Sequence, residues 1–188
     1  LRTTHYRNGD AIAENQDASL ATASFYRPST SDAVTEHYTD SIYGMYYNAY
    51  ASVDTGLCPT GWHVPTKAEW EQLTTYMSSQ SDYVCGNYST DYIASALAGT
   101  HKYIDQNDGL VYAWKNEDKS CAVGNDRGTN NASSFSAFPS GYWENTFMGY
   151  SQSARFWTST PDNNQVWVSS LTYSEEMVNF YTGNKEQA

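Results

Sequence analysis

The sequence predicts an α+β domain, with two short helices packed on antiparallel strands and long loops between them. Three observations carry this. A capped helical signal starts at Thr66, an Ala-rich run ends at Gly99, and beyond residue 134 short apolar runs alternate with turn residues. At 188 residues the chain is read as one domain, 1–188, large enough to bury a core.

Residues 1–40 read as irregular with short extended pieces. Asn8-Gly9-Asp10 is a turn signal that predicts a hairpin, and Ser29 to Asp32 reads as a loop. Ile42 to Tyr50 is aromatic and mostly apolar; strand and short helix both fit it, and periodicity does not choose between them.

The strongest local signal is Cys58-Pro59-Thr60-Gly61-Trp62-His63-Val64-Pro65-Thr66. Pro65 keeps the chain extended, Thr66 suits an N-cap, and Glu69 stands three residues on, where it can return a bond to the cap. Trp70, Leu73 and Tyr76 or Met77 then give one apolar stripe, so a helix is predicted over 66–78. Trp62 and Val64 are expected to pack on its first turn as a hydrophobic staple, and His63 to orient the loop by bonding backbone.

After a polar loop holding Cys85, residues 90–99 predict a short second helix, capped by Thr90 or Asp91 and stopped by Gly99. Residues 100–134 are loop-like. Phe135 to Trp143, Arg155 to Thr160, Gln165 to Tyr173 and Met177 to Tyr181 predict strands, the last two joined by Ser174-Glu175-Glu176.

Charged residues are 16% of the chain, against roughly 25% in average globular proteins. With 17 Tyr and 6 Trp, the surface is expected to be Tyr-, Ser-, Thr- and Asn-rich, as in secreted β-rich proteins and binding loops. A net charge of -11 argues against nucleic acid and against anionic membranes. No apolar run is long enough to span a bilayer, so no direct membrane insertion is expected.

Catalytic and metal signals are weak. The four His are scattered, none of Cys58, Cys85 and Cys121 forms a CxxC, and no carboxylate pair has a spacing that demands acid–base work. Asp105 to Gly109 and Asn125-Asp126 could offer oxygens to calcium, but such loops are more often plain turns, and no cofactor is expected. In a secreted setting Cys85 and Cys121 can form a disulfide, which leaves Cys58 as a buried free thiol or with a partner beyond Ala188.

Several pieces in matching order resemble the Fibrobacter succinogenes major paralogous domain family. They are Leu1 to Thr4; Tyr43-Gly44 with Tyr47 to Tyr50; Cys58 to Thr66 with Glu69-Trp70; Ile93-Ala94 with Leu97-Ala98; Asn130 to Ser133 with Phe135 to Ala137; Pro139 with Gly141-Tyr142; and Phe156 to Thr160. The Cys58–Thr66 block is specific, and the rest gain weight from their order. The resemblance implies a C-type-lectin-like fold, shared with formylglycine-generating enzymes and with the variable proteins of diversity-generating retroelements. Family members close on a Ser-Val-Arg-Cys strand and open a few residues earlier, so the chain is expected to be cut at both ends. That missing cysteine is the natural partner of Cys58, while Cys85 and Cys121 resemble a second pair. A missing N-terminal part could carry a lipoprotein anchor.

The lectin calcium motifs are absent, and no basic group near Cys85 marks a reactive thiol, so a formylglycine-type oxidase is disfavoured. In the diversified relatives the segment matching Gln165–Gln187 carries the substituted positions, while Leu171, Val178 and Lys185 match persistent ones. Leu171 and Val178 are therefore expected to face inward. The candidate ligand-binding residues are Trp167, Ser169, Thr172, Tyr173, Glu175, Asn179, Tyr181 and Asn184, facing out. The expected function is non-enzymatic: a ligand-binding or adhesion module of a secreted or surface bacterial or phage protein, meeting a protein or glycan ligand. A structural subunit such as a fimbrial tip is the alternative.

Overall fold

The computed structural model describes residues 2–14, 21–27, 44–104 and 111–187. The loops expected at Ser29–Asp32 and Asp105–Gly109 lie outside the described residues, as do Ile42 and Tyr43.

The first turn forms as expected. His5 bridges Ala11 in antiparallel fashion, Gly9 sits at φ +94°, and the Asp10 N–H donates to Asn8 Oδ1 at 3.0 Å. Strand β1 (Ala13–Glu14) then runs parallel to β2 (Ser24–Tyr26), and β2 pairs antiparallel with β3 (Tyr46–Tyr47). The aromatic run contains both of its open readings, because β3 is followed at once by a one-turn helix α1 (Ala49–Ser52). The fully buried Asn48 makes that switch. Its Oδ1 accepts from Ala51 and Ser24 N–H, each at 3.1 Å, and its Nδ2 donates to the Thr22 carbonyl at 2.8 Å.

Helix α2 (Lys67–Ser78) has the predicted capping box. Thr66 Oγ1 accepts from the Glu69 N–H at 3.1 Å, and Glu69 Oε2 accepts from the Thr66 N–H at 2.7 Å. Two expectations around it fail. Trp62 is 75% exposed and staples nothing, whereas Val64 packs with Ile12, Phe25 and Leu57. His63 bonds a side chain rather than backbone: its Nε2 lies 2.9 Å from Glu69 Oε1.

The second predicted helix shrinks to one turn, α3 (Ala94–Leu97), with Ile93 at the cap and no side-chain cap bond from Thr90 or Asp91. Tertiary pairing overrides Ala propensity here. Ala98 bridges Ala137, the Gly99 N–H donates to the Ala137 carbonyl at 2.8 Å, and the Ala137 N–H donates to Leu97 at 2.9 Å. Gly99 therefore permits close strand approach, and does not stop a helix.

Two small antiparallel ribbons follow: β4 (Tyr103–Ile104) with β5 (Val111–Tyr112), and β6 (Tyr142–Trp143) with β7 (Phe147–Met148). Only the last two residues of the predicted Phe135–Trp143 strand are strand. Ser134 and Ser136 take φ of +62° and +61°, and Asn131 Oδ1 ties the Ser136 N–H at 2.7 Å, which breaks extension.

Among the described residues, the main sheet holds the three longest strands, β8 (Ser153–Asp162), β9 (Gln165–Thr172) and β10 (Asn179–Asn184), antiparallel in the order β10-β9-β8. Asn163-Asn164 joins β8 to β9, with Asn163 at φ +53°, a conformation asparagine tolerates. By register, Phe156, Ser169 and Phe180 share one face with Trp167 and Thr182, and Trp157, Val168 and Tyr181 share the other.

Both faces are covered. α2 lies on the first, where Trp70 meets Phe156 at 5.4 Å and Leu171, Ala154, Met77, Leu97, Trp114 and Val123 form the main core. On the second, Trp157 Nε1 donates to the Tyr47 carbonyl at 3.0 Å, and an aromatic cluster of Tyr26, Tyr46, Trp143, Phe147 and Tyr150 packs nearby. The fold is therefore a mixed α+β arrangement of few short helices and several small sheets.

Cys85 and Cys121 form a disulfide with Cα atoms 5.6 Å apart, joining the loop after α2 to the loop over 115–124. The bridge fits an oxidising, extracytoplasmic compartment. Cys58 is a half-buried free thiol, and burial raises its pKa. Among the described residues, no helix is long and apolar enough to cross a membrane.

Candidate functional site

The eight residues singled out in the sequence do not form one surface. A strand sends successive side chains to opposite faces, and both faces of this sheet meet other layers. Ser169, expected to face out, is fully buried beside Leu171 under α2. Tyr181 and Asn179 fall on the opposite face. The Tyr181 phenol sits with Arg155 5.7 Å from its ring, and burial raises its pKa, with Arg155 and the Ser170 hydroxyl pulling the other way.

Thr172, Tyr173 and Glu175 gather at the far end of β9, about 20 Å from Trp167 at ordinary strand rise. They mostly bind the molecule to itself. The Tyr173 and Glu175 carbonyls accept from Gly124 and Val123 N–H at 2.7 and 3.1 Å. Lys115 Nζ lies 4.8 Å over the Tyr173 ring. Lys119 Nζ is 4.0 Å from Glu175 and 2.7 Å from the buried Glu176, whose hydrogen bond raises the lysine pKa.

Trp167 and Asn184 are the pair that fits a site. α2 starts at Lys67, whose N–H donates to Thr160 Oγ1 at 3.0 Å. Along β9 the covered face passes from buried Leu171 and Ser169 to partly exposed Trp167 and Gln165. Lys67 Nζ lies 4.6 Å over the Trp167 ring and 5.9 Å over the Phe180 ring, and it also pairs with Glu71. Beside the indole, Thr182 Oγ1 donates to Gln165 Oε1 at 2.8 Å, and Gln165 Nε2 donates to Asn184 Oδ1 at 3.1 Å.

Trp167, Phe180, Thr182, Gln165 and Asn184 thus line one platform at the hairpin end of the sheet. From Phe180 a shallow groove of about 380 Å³ continues past Val178, Met177, Thr74 and Ile93. Sequence reasoning missed Lys67 and Phe180. Pairing register would have put Phe180 on the Trp167 face, but nothing in the sequence places Lys67 over it.

A larger, mostly apolar cavity of about 540 Å³ lies along β8, lined by Leu57, Val64, Trp70, Phe156, Trp157 and Arg155 among others. The Arg155 guanidinium, one of its lining groups, stacks over the Tyr142 ring, 3.2 Å from the ring centre. Of the sequence-predicted residues only Tyr181 borders it. Among the described residues, no three His, Cys, Asp or Glu side chains gather as metal ligands.

The family model described as the Fibrobacter succinogenes major domain matches residues 1–187. The chain belongs to the Fibrobacter succinogenes major domain family. Comparison with curated proteins and with solved structures finds no match. In this Fibrobacter succinogenes major domain, the Cys58–Thr66 block builds the entry to α2, and α2 in turn leaves the hairpin end of the sheet open.

Proposed function

We propose that this domain is a non-enzymatic ligand-binding or adhesion module of a secreted or surface protein, in a C-type-lectin-like arrangement, and that it meets a protein or glycan ligand. The observation that carries the reading is the Trp167 platform: a partly exposed indole held by Lys67 and rimmed by amide and hydroxyl groups. Aromatics on a rigid support with adaptable polar neighbours suit recognition of varied partners. The disulfide supports the location. In this reading the exposed positions of β9 and β10 are the ones that vary between copies, as in retroelement-diversified relatives, while Leu171 and Val178 hold the frame.

The test is to immobilise the domain and screen it against arrays of glycans and of extracellular proteins, together with Trp167→Ala and Tyr173→Ala. Binding weakened by Trp167→Ala and little changed by Tyr173→Ala supports the platform. Binding indifferent to both places the site elsewhere. Thiol-dependent oxidation of a cysteine-containing peptide by the domain would overturn the non-enzymatic reading.

A further inference from the structure

We infer that the Trp167 platform recognises an uncharged pyranose glycan through side chains alone, since among the described residues no three His, Cys, Asp or Glu side chains gather to hold a metal ion. This rests on the proposed binding role and narrows it to one ligand class.

The polar groups beside the indole are already oriented by one another. Thr182 gives its proton to Gln165, and Gln165 in turn bonds Asn184 Oδ1. That chain fixes the Asn184 amide and leaves the Nδ2 donors of this exposed residue, with the lone pairs of the partly exposed Thr182 hydroxyl, for a ligand. Fixed donors and acceptors next to an aromatic ring match a sugar, whose hydroxyls lie around the edge of an otherwise C–H-covered ring face. The ring face stacks on the indole face opposite Lys67, which lies 4.6 Å over the other, while the edge hydroxyls take the amide bonds. A protein hot spot would instead call for a deeper, drier pocket.

Charge decides between neutral and acidic sugars. Lys67 is neutralised by Glu71 and turned onto the two aromatic rings. Asp162 stands at the same hairpin, bonded by Asn163 at 3.1 Å, and the chain carries a net charge of -11. Among the described residues, Lys67 is the cation placed at the platform rings, and with its charge committed to Glu71 acidic glycans are disfavoured.

The probes are neutral oligosaccharides of mannose, xylose, galactose and glucose, titrated by calorimetry into the whole chain with and without EDTA. At least one should bind, EDTA should change nothing, and Trp167→Ala should weaken binding by about tenfold or more. Trp167→Phe keeps a ring and should retain most affinity; it also guards against misreading an unfolded alanine variant. Asn184→Ala, at an exposed position, should cost several-fold. Sugar binding that EDTA abolishes, or that ignores Trp167 and Asn184, overturns the inference. Trp167-dependent binding of a protein with no binding of any neutral sugar overturns it too, and leaves the wider binding role standing. Failure of both sugars and proteins to bind overturns both.

Discussion

The ammonium of Lys67 lies 4.6 Å from the centre of the Trp167 ring, so the first residue of α2 is fixed to the exposed end of β9. The same lysine also pairs with Glu71, so a single substitution mixes two effects. A double-mutant cycle of Lys67→Met and Trp167→Leu should isolate a coupling of about 0.5–1 kcal/mol in urea denaturation, the range of a partly exposed cation–π contact. Additive effects of the two substitutions would mean the stacked geometry carries no stability.

The capping box should be worth about 1 kcal/mol, read as the loss in unfolding free energy on Thr66→Ala. Its other half depends on pH. Glu69 has a pKa below its ordinary 4.5 because its carboxylate accepts first from the Thr66 N–H, then from His63 and the Thr66 hydroxyl. A carboxyl lowered by folding contributes stability above the unfolded chain's pKa and loses it as pH falls through the folded value. The stability gap between wild type and Glu69→Ala should therefore be full near neutrality and should close in acid.

This box was legible in the sequence because a cap is a local device, with all of its partners within four residues. The three long strands were legible for the same reason, as alternating runs between turn signals. The failures share one cause. Trp62 looks like a staple, but whether it packs depends on what the rest of the chain brings to it. The run at 94–98 looks helical, yet Ala137, about forty residues on, draws Ala98 and Gly99 into pairing. The binding face was read as one surface because the second layer over the sheet cannot be seen in a sequence. Tyr47 and Tyr142 meet one side and α2 the other, so the eight side chains are split between layers, with Trp167 and Asn184 left at the hairpin end.

Removing the Cys85–Cys121 bridge should lower stability by about 2–4 kcal/mol, since it closes a span of 36 residues in the unfolded chain. The loop over 115–124 is also tied to the turn after β9 by the Gly124 and Val123 N–H groups and by Lys119 on Glu176. The Cys85→Ser/Cys121→Ser variant should therefore unfold at lower urea while keeping its far-UV circular dichroism spectrum. Loss of that spectrum without denaturant would show that the bridge is needed for folding itself.

Gly141 should not accept a side chain. Its φ is +73°, its N–H donates to the Ser153 carbonyl at 2.8 Å, and a Cβ would run into the Met148 carbonyl oxygen. Strain and overlap act together, so Gly141→Ala should cost about 2–4 kcal/mol by thermal or urea unfolding. At Gly9, φ is also positive but no atom stands within 4 Å of the added carbon, so Gly9→Ala should cost about 1 kcal/mol. Equal costs at the two sites would mean that Gly141 is not crowded.

A replaceable skin on a fixed frame makes one last demand, on the pattern of tolerated substitutions along β9 and β10. Gln165, Trp167, Thr182 and Asn184 sit at the open end, where exchange of one side chain for another removes few packed neighbours. Ser169 and Leu171, on the same face, are fully buried under α2, and Gly183 has the Trp157 ring 2.8 Å from where a Cβ would stand. A library randomised at these seven positions, displayed and selected by resistance to protease, should keep most residue types at the first four. At Leu171 truncation to Ala should cost about 2–5 kcal/mol, so survivors there should be large and apolar. Ser169 should accept only small residues, and Gly183 should stay glycine. Uniform tolerance across all seven would mean that the sheet is not gripped from both sides. Uniform intolerance would mean that the open end is part of the frame, with no exchangeable surface to offer a ligand.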